Sequence, residues 1–220
     1  MAGGGAYPDQ QGSSRGPYGH ASGPPQYGYQ APPQAGGPPH FGEQEPPPPE
    51  YYRPAEPAGE LVQVYTQANP NYRLTVREDG AVLAFKNSRD LTQQWIKVDV
   101  GPGHGEFIDR EGQPGFILVN KATGLPLKHG HQANDFVTTH RQVFGVNSPA
   151  EGSIIWTLGR KDEGRGFKGM RAVTNITLNL DAEHADKLHG GVRDGNRLLL
   201  SAWKDKENFK WKVEPCEPVA

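Results

Sequence analysis

Three tryptophans recur along the chain at a spacing that leaves few folds open. Trp95, Trp156 and Trp211 stand 61 and 55 residues apart, and each lies at or near the start of a short β-favouring run. Between them, apolar and β-branched runs are broken by Gly, Pro, Asn and Asp, the punctuation of strands and turns. The pattern predicts twelve strands in three groups of four. The first group is Leu61–Thr66, Tyr72–Arg77, Ala81–Phe85 and Trp95–Asp99. The second is Phe116–Asn120, Leu125–Lys128, Phe136–His140 and Ile154–Leu158. The third is Gly169–Thr174, Ile176–Asp181, Arg197–Ser201 and Trp211–Glu214. The second run of each group ends alike, in Leu74-Thr75-Val76-Arg77, Leu125-Pro126-Leu127-Lys128 and Leu178-Asn179-Leu180-Asp181, with ends 51 and 53 residues apart. A period near 50 in an all-β chain means three copies of a unit that cannot bury its apolar face alone. Three four-stranded units about a pseudo-threefold axis make a β-trefoil: a closed six-stranded barrel capped by three hairpins, with no open sheet edge. The repeated tryptophans are then core residues. Trp203, the fourth, has no counterpart in the other groups and is the candidate for an exposed role.

The first 60 residues have another composition. They hold 14 of the 21 Pro, 12 of the 29 Gly and 6 of the 8 Tyr, with no Ile, Leu or Val. Such a segment cannot offset the entropy of ordering its backbone, so residues 1–60 are expected to be a disordered tail. Residues 61–216 are long enough for one domain with a real core, leaving 217–220 as a short C-terminal tail. Two Pro-Pro-x-Tyr tetrapeptides, Pro24–Tyr27 and Pro48–Tyr51, suit aromatic-lined grooves that bind polyproline II. They make the tail a candidate recruiter of protein partners, the plainer reading being a solubilising spacer.

Several function classes fall away. Residues 1–60 carry six carboxylates against two arginines, and the remainder has 21 basic and 19 acidic residues, so no basic footprint suggests general nucleic-acid binding. The longest apolar run, Ala81–Phe85, is far too short to span a bilayer, and the N-terminus shows no leucine-rich signal segment. A single cysteine, Cys216, cannot form an internal disulfide. These features predict a monomer of the reducing cytoplasm and nucleus. His129, His131, His140, His184 and His189 show no metal-ligand spacing and are expected to be solvated loop residues, so no metal is implied. No nucleophile–base pair or cofactor motif appears, so the chain is not expected to be an enzyme or to hold a cofactor. Gly101-Pro102-Gly103-His104-Gly105 opens no helix and is not read as a phosphate loop.

Gln93-Gln94-Trp95 matches the Gln-x-Trp signature of ricin-B-type trefoils, while the later repeats show Ile154-Ile155-Trp156 and Phe209-Lys210-Trp211. Longer strings narrow the likeness: Asn71-Tyr72-Arg73-Leu74-Thr75-Val76-Arg77 and Phe116-Ile117-Leu118-Val119-Asn120-Lys121-Ala122-Thr123-Gly124. Asn179-Leu180-Asp181-Ala182 follows, with His184, Asp186-Lys187, Gly190-Gly191-Val192 and Asp194-Gly195. Together they resemble the plant Euonymus lectin family from Leu61 to Pro215, and a Pro/Gly/Tyr-rich leader also fits. The resemblance implies a plant origin, a sugar-binding trefoil, nucleocytoplasmic residence and a link to abiotic stress. As partners it implies mannose-rich or galactosylated glycans or glycoproteins.

A site for a neutral sugar needs a carboxylate or amide for its hydroxyls and an aromatic face for its C–H side. A charge-assisted hydrogen bond is roughly twice as strong as a neutral one, which favours an acid. Among the three second-strand ends, Arg77, Lys128 and Asp181, only the third is acidic. This nominates one site, in the third repeat, with Asp181 as acceptor; the alternative is that Asp181 fixes the turn before Ala182. By resemblance, Asn208 supplies the amide. In Leu200-Ser201-Ala202-Trp203-Lys204 the family's stacking tryptophan is replaced by Ser201, and its orienting glutamine by Phe209. Strand alternation puts Trp203 on the same side as Ser201, as a substitute aromatic face. Two functions follow as expectations: a lectin, or a non-catalytic interaction protein whose trefoil has weakened sugar binding and whose tail recruits partners.

Overall fold

A computed structural model describes residues 55–78, 80–101 and 107–216. The expected tail lies outside the described residues up to residue 54, as do the C-terminal tail and most of the Gly101–Gly105 stretch. The described residues form an all-β domain with twelve strands and no α-helix. The strands are β1 Glu60–Thr66, β2 Tyr72–Arg77, β3 Gly80–Phe85, β4 Trp95–Asp99, β5 Gly115–Asn120 and β6 Leu127–Lys128. They continue with β7 Thr138–Thr139, β8 Trp156–Leu158, β9 Lys168–Ala172, β10 Asn175–Ala182, β11 Leu198–Ala202 and β12 Lys210–Pro215.

Six strands close on themselves in the order β1-β4-β5-β8-β9-β12, β12 pairing back onto β1. All pairs in this ring are antiparallel. The other strands form three hairpins, β2-β3, β6-β7 and β10-β11. The hairpins lean on one another through single bridges, Val82 to Arg197 and Phe136 to Leu199. This is the β-trefoil expected from the repeat: a barrel with its hairpin cap.

The core explains the tryptophan spacing. Trp95, Trp156 and Trp211 are fully buried and pack with Val62, Val64, Leu118 and Met170 into one apolar cluster. A second cluster, with Ile117, Val119, Phe144, Ile154 and Ile155, lies under the β7–β8 connection. It covers the other face of β5, which is why that strand is apolar at every position but its ends and buried throughout.

Four local expectations needed correction, the first being the predicted strand Leu125–Lys128, which narrows to Leu127–Lys128 with Pro126 in a single bridge to Val119. The predicted strand Phe136–His140 shrinks to Thr138–Thr139, because Phe136 bridges to Leu199 of the third hairpin instead. The predicted strand Ile154–Leu158 starts only at Trp156, since Ile154 closes a 3₁₀ turn, Gly152–Ile154. His129, expected as a solvated loop residue, is buried edge-on against Trp156, ring centroids 4.9 Å apart. At the other end of the domain, ordered packing begins before Leu61: Pro57 is buried, Glu56 pairs with Lys121 at 2.6 Å, and Glu60 already belongs to β1.

Candidate functional site

One local device occurs in every repeat. A 3₁₀ turn precedes each barrel tryptophan: Leu91–Gln93, Gly152–Ile154 and Glu207–Phe209. Each indole N–H then donates to a second-strand carbonyl: Trp95 to Leu74 (3.0 Å), Trp156 to Leu127 (3.1 Å) and Trp211 to Leu180 (2.8 Å). These bonds satisfy a donor that would be costly to bury unpaired. They also fix which residues correspond. Leu74, Leu127 and Leu180 are equivalent, so the next residues, Thr75, Lys128 and Asp181, are equivalent too.

The similar strand endings match Arg77 with Lys128 and Asp181, whereas the indole bonds put Thr75, two residues earlier, at that position. β2 continues past the cradle position, and Arg77 at its end forms an ion pair with Asp194 at 2.9 Å instead. The chemical contrast survives the shift, because Thr75 and Lys128 bring no carboxylate.

The partner position is three residues before each tryptophan: Thr92, Ser153 and Asn208. In the first repeat Thr75 and Thr92 join their hydroxyls at 2.8 Å. In the second, the Ser153 hydroxyl turns to Glu151 at 3.4 Å. In the third, Asn208 Nδ2 donates to Asp181 Oδ1 at 2.6 Å and more weakly to the Ala182 carbonyl at 3.4 Å. Asn208 is only 5% exposed, and its Oδ1 has no hydrogen-bond partner. A buried, unpaired amide oxygen beside a carboxylate costs stability.

Asp181 sits half-buried on β10. Burial pushes its carboxyl above the ordinary aspartate value, opposed by the Asn208 hydrogen bond, the Lys204 charge, the Ser201 hydroxyl and the Lys206 charge. Ser201, which pairs across the hairpin with Asn179, stands near enough for its hydroxyl to favour the charged Asp181 carboxylate. Lys206 also anchors the rim. Its ammonium meets Asp186 at 2.7 Å, and Asp186 accepts from His189 Nδ1 at 2.6 Å. These contacts hold the Asp186 carboxyl far below the usual aspartate range. The loops after β10 and β11 are thereby fastened together beside the cradle.

Trp203 is placed differently. It is 39% exposed and leans edge-on against Phe209, centroids 5.9 Å apart. Its ring walls a neighbouring cleft with Asn179, Gly169, Arg171 and Glu111, a lining that includes neither Asp181 nor Asn208. Of the three nominated residues, the structure joins Asp181 and Asn208 directly and places Trp203 in the neighbouring cleft, apart from that pair. Phe209, at the glutamine position of the Gln-x-Trp signature, is buried and props the Trp203 ring. In the first repeat, Gln93 at this position caps the preceding segment through Phe85 O (3.0 Å) and Asn87 N (2.9 Å). Among the described residues, no group of three His, Cys, Asp or Glu side chains converges to hold a metal ion.

With this geometry in hand, the comparisons with known proteins become informative. The chain is 44% identical over 159 residues to Ricin B-like lectin R40G3 of Oryza sativa subsp. japonica, a match covering 72% of this chain and 75% of that protein. It is 42% identical over 168 residues to Ricin B-like lectin R40G2 of the same rice, covering 76% of this chain and 47% of that one. It is 40% identical over 154 residues to Ricin B-like lectin EULS3 of Arabidopsis thaliana, covering 70% and 47%. Beyond the rice R40G3 lectin, then, the chain spans about half the length of these relatives. No family model matches the chain.

Solved structures share the fold at low sequence identity. The designed threefold-symmetric protein ThreeFoil superposes with a TM-score of 0.51 at 19% identity, over 70% of this chain and 96% of that one. The Macrolepiota procera ricin B-like lectin, solved with lactose, gives 0.51 at 14% identity, over 72% and 96%. Barrel, hairpin cap and the tryptophan cradle thus define a ricin-B-type β-trefoil. The chain belongs to the ricin B-like lectins, in the plant Euonymus lectin family.

Proposed function

We propose that this protein is a carbohydrate-binding lectin with a single shallow site in the third repeat. The observation that carries the reading is the Asp181–Asn208 pair at 2.6 Å, a half-buried carboxylate oriented by a buried amide, where the equivalent positions hold Thr75 with Thr92 and Lys128 with Ser153. The Asp181 carboxylate, oriented by the Asn208 amide, accepts ligand hydroxyl hydrogens at the cradle. Few polar contacts in an open cradle give roughly millimolar affinity for a monosaccharide, about −4 kcal/mol. A one-site monomer does not agglutinate cells, since avidity needs a second site. The family resemblance supports mannose-rich or galactosylated glycans as ligands, residence in cytoplasm and nucleus, and a role in abiotic stress.

Calorimetric titration of the full chain with methyl mannoside and methyl galactoside tests the reading. Binding is expected with at least one, lost in Asp181→Ala and weakened in Asn208→Ala, both variants staying folded. A folded wild type that binds neither sugar, alone or within larger glycans, refutes it. One observation favours a second reading, an interaction scaffold with degraded sugar binding: Ser201 stands where the family pattern has its stacking tryptophan. Co-purification of protein partners that depends on the Pro/Tyr-rich segment, together with no glycan binding, supports that alternative.

A further inference from the structure

Beside the Asp181 cradle lies a cleft of about 350 Å³ walled by Trp203, Asn179, Arg171, Glu111 and Glu163, with Gly169 between them. The two places share one face of the third hairpin. Asp181 pairs with Leu199 and Asn179 with Ser201, so these four residues point to the same side, and Trp203 follows two residues beyond Ser201. From Leu199 to Trp203 the backbone advances four residues, about 13 Å at the usual strand rise. One pyranose ring does not span that distance, but a short chain of rings does.

We propose that this cleft is a second subsite of the same binding face, taking a further ring of a linear, uncharged oligosaccharide whose end ring occupies Asp181 and Asn208. This rests on the sugar reading given above. The cleft is prepared for a ligand in three ways. First, the Trp203 ring is preset, held edge-on by Phe209, and a Cβ at residue 169 would come within 3.0 Å of the indole, so Gly169 is what lets the ring lie close.

Second, Arg171 is 8% exposed and its guanidinium binds Asp109 at 2.6 Å and Glu111 at 2.7 Å, yet its Nε–H has no partner. A nine-tenths-buried side chain with an unused donor is expensive unless something in the cleft, a hydroxyl or the water it displaces, accepts from it. Third, the charges are mostly compensated, Arg160 at the exposed rim being the one lining charge without an ion pair among the described residues. Arg171 is matched by its two carboxylates, and Glu163 lies 3.0 Å from Lys161 and 3.9 Å from Lys210. The groups left to select a ligand are one buried N–H, the half-exposed Glu111 carboxylate, the exposed Arg160 guanidinium at the rim and an indole face. That set suits the hydroxyls and C–H face of a neutral sugar rather than an ion.

The test compares chain lengths on the full-length protein by calorimetry, using methyl mannoside against a linear mannotriose and methyl galactoside against a linear galactotriose. The wild type is expected to bind one trisaccharide about tenfold or more tightly than its methyl glycoside. Trp203→Ala removes that gain and leaves the methyl glycoside unaffected. Trp203→Phe keeps part of it, and Gly169→Ala, which pushes the ring away, reduces it. Circular dichroism confirms folding, and the Trp203→Phe and Gly169→Ala pair decides the matter if Trp203→Ala is unstable. Equal affinity for monomer and trimer, or a chain-length gain that survives Trp203→Ala, overturns the subsite. If the methyl glycoside still binds and still needs Asp181, the sugar reading stands and the subsite alone falls; binding of none of the four probes overturns both.

Discussion

The second and third repeats build the same backbone cradle and furnish it with opposite chemistry. In both, a 3₁₀ turn delivers a tryptophan whose N–H reaches a leucine carbonyl on the second strand, at 3.1 Å in one and 2.8 Å in the other. The next residue is Lys128 in one repeat and Asp181 in the other. The partner position holds Ser153, bonded to Glu151, in one and Asn208, bonded to Asp181, in the other. Fold and site therefore obey separate constraints. The indole and its carbonyl are buried and must recur for the barrel to close, whereas the residue beside them faces outward and is free to differ.

The largest effect separating the two constraints is loss of a barrel tryptophan. Trp156→Ala should cost about 3–5 kcal/mol in urea unfolding, through lost burial and the cavity left behind. A variant of unchanged stability would break the threefold reading.

Next comes the buried ion pair that joins the second repeat to the third. The Asp109 carboxylate is fully buried and accepts from Arg171 at 2.6 Å and from the Thr157 hydroxyl at 2.8 Å. Asp109→Ala leaves the guanidinium buried with one partner fewer and should cost about 3 kcal/mol or more. Arg171→Met in the same chain should restore part of the loss, since an apolar side chain needs no counter-charge. A double variant no more stable than Asp109→Ala alone would contradict this.

Acid should weaken the fold in two stages. Burial pushes the His129 imidazole below its ordinary value of 6.5, opposed by the Gly130 and Ile155 carbonyls at its two ring nitrogens, only one of which the neutral ring can donate to. The unfolded chain therefore takes up a proton first. The His129 contribution is complete above pH 6.5 and is lost as the pH falls from there. Asp109 follows lower down. Burial raises its carboxyl, but hydrogen bonds from the Gln113 and Glu111 amides and the Thr157 hydroxyl, with Arg171, hold it below 3.8. Its contribution is present above that value and lost as the pH falls through the folded value. Thermal midpoints at successive pH values read both stages, and His129→Gln should remove the first alone.

The smallest stability effect is at the site itself. Asp181 has its folded value raised, so its charging opposes folding as the pH rises through that value. Asp181→Asn should therefore leave the thermal midpoint at pH 7 unchanged or higher, within about 2 °C, while sugar binding is lost. A fall of many degrees would recast Asp181 as a structural turn residue.

Much of this was legible in the chain because it depended on recurrence. Twelve short runs and three tryptophans gave strand number, grouping and barrel, since burying a periodic set of apolar residues leaves little choice of architecture. Less legible were features set by contacts distant in sequence. Ile154 reads as strand by propensity but packs in a 3₁₀ turn beneath Phe144, and His129 looks like a loop residue until Trp156 is laid against it. The register error at Arg77 had the same origin. Similar strand endings suggested one alignment, while the indole–carbonyl bond, which joins residues about 20 to 30 apart, fixes another. The Asp181–Asn208 contact spans 27 residues and was reached through the acid's uniqueness and the family pattern. The Arg171 cleft, built from two strands and three separate loops, left no local signal.

Chemical-shift mapping of the ¹⁵N-labelled protein against a mannose-rich oligosaccharide most directly tests whether the third cradle is the binding one. Perturbations are expected at Asp181, Ala182, Ser201 and Asn208, extending to the Trp203 indole, with Thr75, Thr92, Lys128 and Ser153 unmoved. Shifts clustered at Lys128 or Thr75, with the third repeat silent, would contradict it.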